Sequence, residues 1–287
     1  MKINHVKNDL NNYYKLIFFL CIPFILYGLY KNSLVVYLES KDCFLLLKPI
    51  ISLGLALIFG FFMDYKITKL KKINRNIISA LFLWMILPFN TPLWLYIIGF
   101  GVLVLVLKKF DDFIHPIMIS KLICIIILFL LSKYTYQNYY ESSGLYAYSF
   151  TDLFFKNQVG GVATSNLILV VICFIVLLFN LLYKKNISLS ALASYFITML
   201  LFAIFSSNTS IYFEMMISAS VLFEMIMLAP LNECSSYTLK GQMIYGFFVG
   251  GIGAVICALW LPYEGVAIAI LGASILKNIF DKKFILN

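Results

Sequence analysis

Residues 240–265 read KGQMIYGFFVGGIGAVICALWLPYEG. A polar lead-in of Lys240, Gly241 and Gln242 opens an apolar run, 243–261, of the length a helix needs to cross a bilayer. Leu261, Pro262, Tyr263, Glu264 and Gly265 interrupt it, and the chain restarts as the apolar run 266–276. Gly246 and Gly250 fall on one helical face, where missing side chains let a second helix approach closely. The first reading of this stripe is therefore helix packing. The two runs together form a hairpin of membrane helices.

The same grammar extends in both directions. The chain has 287 residues, 62% hydrophobic and 12% charged, with mean hydropathy +0.95. Soluble domains are about 45–50% apolar and about 25% charged, which excludes a soluble protein. About ten hydrophobic segments follow one another, at 15–32, 43–63, 77–89, 92–107, 115–133, 164–183, 187–206, 210–229, 242–261 and 264–281. The third is short for a full crossing. The expected fold is an all-α polytopic membrane protein.

Charge sets the expected orientation. With the N-terminus inside, about 17 of the 22 Lys and Arg residues face the cytoplasm, and only Lys31, Lys41, Lys48, Lys133 and Lys156 lie outside. Both termini are thus expected to be cytoplasmic. The net charge of +9 reflects this bias rather than a nucleic-acid partner. The first apolar segment follows Asn8, Asp9, Asn11 and Asn12 and lacks a small-residue cleavage site, so it is read as a retained span. Six scattered cysteines without a CxxC pair argue against an iron–sulfur or zinc site.

A duplication is visible in two breaks. Pro88, Asn90 and Pro92 part the third segment from the fourth, and Pro230 and Asn232 part the eighth from the ninth. The breaks are five spans apart, and an odd number makes the two halves inverted. The expected organisation is a five-helix repeat at 1–133, an outer loop at 134–163 rich in tyrosine, and a second five-helix repeat at 164–287.

Within the spans, Glu224 and Glu214 are candidate ion-pathway residues, because intramembrane charges usually face a bundle interior or a wet cavity. Lys121 is expected to snorkel to the cytoplasmic face, and His115 to cap the helix that begins at Pro116. No Ser/His/Asp grouping, paired-carboxylate site, P-loop or Rossmann fingerprint occurs. A solute or ion transporter and a membrane component of a redox complex both remain open on these residues alone.

Four stretches carry a resemblance. Residues 79–99, with Leu87-Pro88 and Thr91-Pro92-Leu93-Trp94-Leu95, are similar to a "TPLWL--IG" segment of the RnfD/NqrB family. Lys108 to Pro116 stands where that family has a Lys followed by an Asn-Pro turn. Residues 152–165 resemble its "LF-G--PG-IGETS" stretch, and 240–246 with 263–270 resemble "KGQWIYG" and "PEGVAFAIL". Members of this family are membrane components of the Rnf ferredoxin–NAD complex and of the sodium-pumping NADH–quinone reductase. The resemblance implies a prokaryotic plasma-membrane protein that holds FMN and relays electrons alongside other membrane subunits. The family attaches its flavin to the Thr of a Ser-Gly-Ala-Thr motif. Here the matching residues are Ser143, Gly144, Leu145 and Tyr146, so any FMN is expected to be non-covalent. Gly160, Gly161, Thr164 and Ser165 complete the expected cofactor set, with backbone amides and hydroxyls for a phosphate. A flavin-free transporter or structural subunit on the same scaffold is the alternative.

Overall fold

A computed structural model describes residues 2–65, 75–110, 114–131, 160–206, 209–231 and 234–285. Among the described residues all regular structure is helical, apart from one isolated bridge between Pro88 and Gly161. Among the described residues five helices are long and apolar enough to cross a membrane: Asn12–Leu38, Cys43–Met63, Lys185–Phe205, Ile211–Leu228 and Leu239–Leu259. Their outer faces present large apolar side chains such as Phe19, Phe61, Ile204 and Phe247. A soluble surface would not carry so many, whereas lipid tails accept them without penalty.

Helix α1 (Lys2–Leu29) runs through a π-helical turn, π1 (Tyr30–Val35), into α2 (Val36–Ser40). Lys41 then takes the left-handed conformation that ends many helices, with φ 58°. Helix α3 (Cys43–Met63) is capped by Asp42, whose carboxylate accepts from the Phe44 amide at 2.8 Å. Helix α4 (Arg75–Ile86) is the short third segment. Every residue from Asn76 to Ile86 is buried, so it is a half-length helix enclosed by protein, stopped by Pro88. Helices α5 (Leu93–Lys109) and α6 (Pro116–Leu130) follow. His115 caps α6 as expected, its Nδ1 accepting from the Met118 amide at 3.4 Å, with Pro116 in the first turn.

The second half contains α7 (Leu167–Leu178), α8 (Lys185–Phe205), α9 (Thr209–Met216) and α10 (Ala219–Phe223). Helix α10 passes directly into a second π-helical turn, π2 (Glu224–Leu228), which ends before Pro230. All ten residues of α10 and π2 are buried. Helices α11 (Leu239–Leu259) and α12 (Gly265–Ile285) close the chain.

The glycine stripe packs as its spacing suggests. A side chain at Gly246 would strike the Ile187 carbonyl and the Ser190 hydroxyl of α8, and one at Gly250 would strike Ala191 and Ser194. Gly253, further along, meets Val266 of α12. Helix α11 is thus wedged between α8 and α12. At the molecule's centre Phe223 of α10 meets Phe24 of α1 and Phe82 of α4 edge-on, with ring centroids 5.2 and 5.8 Å away. Residues from both sequence halves therefore share one apolar core.

Candidate functional site

Two broken helices leave backbone groups to be satisfied inside an apolar bundle, where water cannot do it. At the end of α4 the answer is the non-helical segment before α7. The Val162 amide donates to the Leu87 carbonyl at 2.9 Å and the Ala163 amide to Met85 at 3.1 Å. Gly161 must be glycine, because a Cβ would enter the Met85 carbonyl and the Ile86 backbone. Side chains from π1 fasten the other side. Asn32 Nδ2 donates to the Val162 carbonyl at 2.6 Å, and Lys31 Nζ donates to Ser165 Oγ at 2.8 Å. Thr164 Oγ1 donates to Ser220 Oγ of α10 at 3.2 Å.

Gly160, Gly161, Thr164 and Ser165 are thus brought together, all buried, at the meeting point of α4, π1 and α10. They do not form a phosphate cradle. Such a cradle needs open amides and space. Here the neighbouring amides of Val162 and Ala163 serve α4, both hydroxyls are engaged, and Ser220 and Met85 fill the space beside the two glycines. A flavin phosphate does not fit residues 160–165 in this arrangement. Ser143, Gly144 and Tyr146 lie outside the described residues.

The second break builds a different site. The carbonyls of π2 lack the ordinary helical pattern, and three side chains, two from around the start of α8 and one from the cap of α6, answer them. Ser188 Oγ donates to Met225 at 3.1 Å, Tyr183 donates to Ile226 at 2.8 Å, and His115 Nε2 lies 3.1 Å from the Leu228 carbonyl. Glu224, the first residue of π2, has its side chain turned into the bundle and is wholly buried. Lys121 of α6 meets it there: Nζ stands 2.5 Å from Glu224 Oε1 and 2.7 Å from Glu264 Oε2. All three side chains are 0% exposed. The contact to Glu224 is a charge-assisted hydrogen bond, and Glu264 completes the ion pair from the other side. Glu264 immediately precedes Gly265, the first residue of α12, and its carbonyl accepts from Ile268 at 3.0 Å. Gly265 itself is pressed against Gly253 and Cys257 of α11, which brings this helix start into the interior.

Three helical elements distant in sequence therefore converge on one buried cation flanked by two carboxylates. Against this geometry the sequence profile of the NQR2, RnfD, RnfE family matches residues 3–285. The chain belongs to that family. Comparison with curated proteins finds no match. As a member of the NQR2, RnfD, RnfE family it stands among the membrane subunits of Rnf- and Nqr-type complexes, and it is an integral membrane protein.

For this family member the sequence expectations meet the structure unevenly. Glu224 is interior, as its position in an apolar segment suggested. Glu214 lies on α9, exposed, and does not join the triad. Lys121 does not snorkel: it is fully buried and neutralised where it stands. Glu264 was missed. Its place in a Pro-Tyr-Glu-Gly turn makes it look like a loop carboxylate. The available signal was an acidic residue directly before a long apolar helix, together with a lone Lys inside the apolar run of α6.

Proposed function

We propose that this chain is a membrane subunit of an ion-coupled electron transport complex of the Rnf/Nqr type, working in a prokaryotic plasma membrane with other membrane subunits. The observation that carries the ion-coupling part is the Lys121–Glu224–Glu264 network. Ionisable groups inside a membrane bundle are costly, and they mark ion or proton pathways by default. The reading takes ten spans in two inverted five-helix halves with both termini cytoplasmic. It draws support from two enclosed half-helices, α4 and α10–π2, each stopped by a proline and each touching the central Phe82–Phe223 contact. Irregular helices at corresponding places in two halves are where such folds build their sites.

The flavin that the family resemblance implies is assigned here to the outer loop around Ser143 and Gly144, not to 160–165. A flavin supplies redox chemistry, and the protein supplies position and electrostatics. The tight packing of 160–165 favours the second reading, a flavin-free transporter or structural subunit. A flavin assay on the complex, purified from cells that also make the partner subunits, separates them. Flavin released on denaturation supports the redox reading. Absence of flavin from both the folded and the denatured fraction refutes it and leaves the flavin-free protein.

A further inference from the structure

We infer that the triad is a single-proton site, in which Glu224 carries one exchangeable proton while Lys121 and Glu264 remain charged. This deepens the ion-coupling role proposed for Glu224 and is independent of the flavin. One ammonium faces two carboxylates, so the three side chains sum to one net negative charge if fully ionised. All are enclosed, and an uncompensated buried charge is among the most costly arrangements in a protein. One proton restores neutrality.

The geometry favours a proton over a metal ion. The seat between the two carboxylates is already taken by Lys121 Nζ, which would repel a second cation. Hard cations also need several oxygen ligands around them. Among the described residues no group of His, Cys, Asp and Glu is arranged to hold a metal. The proton belongs on Glu224, which lies within the continuous helical run α10–π2, away from any helix start. Glu264 lies at the N-terminal end of α12, where the helix dipole favours an anion.

Other titratable groups face this centre from the surrounding elements. His115 touches the last carbonyl of π2, Lys277 of α12 acts on His115, and the Cys257 thiol of α11 is within electrostatic reach of both carboxylates.

The test is infrared spectroscopy of the full chain in lipid nanodiscs, at neutral pH, without partner subunits or flavin. Charge balance predicts a specific pattern for the protonated-carboxyl C=O band, read as a difference between variants and shifted by D2O. The wild-type protein shows one carboxyl equivalent. Glu224→Gln shows none. Glu264→Gln also shows none, because Lys121 and Glu224 then balance as ions. Lys121→Met shows two. The wild-type band is the same in sodium and in potassium buffer. No band in the wild-type protein overturns the inference, as does a band that survives in both glutamine variants. Loss of the band on adding sodium alone overturns it in favour of a metal-cation site. The glutamine variants keep the test decisive if Lys121→Met does not fold. Absence of flavin from the complex purified with its partner subunits would sink the redox reading and leave this result untouched.

Discussion

Replacing Lys121 with Met removes the cation of the triad while keeping most of the side chain's volume. The ammonium stands 2.5 Å from Glu224 and 2.7 Å from Glu264. At an effective dielectric of about 20 the contact to the charged Glu264 represents about 6 kcal/mol of Coulomb attraction, while the protonated Glu224 accepts a hydrogen bond from the ammonium. Most of that offsets the desolvation of the three groups, so it is not net stability. What the variant loses is compensation: Glu264 must take up a second proton or stay charged in an apolar interior. Breaking a buried ion pair by removing one partner destabilises by about 3–5 kcal/mol, and that is the expected loss here. Trp84 reports unfolding well, since it is fully buried in α4 and donates to Ser52 Oγ at 2.8 Å. Denaturant titration of tryptophan fluorescence in mixed micelles gives the comparison. The double variant Lys121→Met/Glu264→Gln removes the carboxylate left unpaired and should recover part of the loss. A Lys121→Met protein within about 1 kcal/mol of the wild type would refute the buried, charged triad, because only solvated pairs are that dispensable.

The glycines of α11 should separate sharply: Gly250→Ala, which would strike Ala191 and Ser194, costs about 1–3 kcal/mol in the same assay. Gly251→Ala, with nothing near its missing Cβ, stays within about 0.5 kcal/mol. Equal effects would mean that α8 does not pack on this stripe. Gly161→Val should destabilise by about 1–3 kcal/mol through the Met85 carbonyl, and limited proteolysis should then cut between α4 and α7 faster than in the wild type; unchanged proteolysis would refute the pairing of 160–163 with the end of α4. Cys43 is exposed while the other five cysteines are buried. With the N-terminus cytoplasmic it lies outside, so an impermeant maleimide should label intact cells and fail on Cys43→Ser. Labelling only after permeabilisation would reverse the orientation.

Much of the architecture was written in local patterns. Apolar runs, the proline breaks and the spacing of Gly246 and Gly250 are properties of adjacent residues, and helix formation and close helix approach follow from them directly. The cap at His115-Pro116 was equally legible, since capping depends on the few residues around it. The shortness of the third segment already hinted that α4 is not an ordinary span, and burial of Asn76–Ile86 explains how so short a helix is tolerated.

The site was legible only in part. An acidic residue in an apolar segment pointed to Glu224 without its partners, because Lys121 lies 103 positions away and nothing local relates the two. Lys121 read as a snorkelling side chain since its distance from the helix start allows that; only the packing of α6 against π2 and the start of α12 denies it water. Glu264 read as part of a turn until Gly265 was seen pressed against Gly253 and Cys257. The sequence by itself thus determined a helical membrane protein with interrupted segments, because hydrophobicity and helix breaking act over a few residues. Which charges meet was decided by tertiary structure alone, because burial and neutralisation depend on how distant helices close around one another.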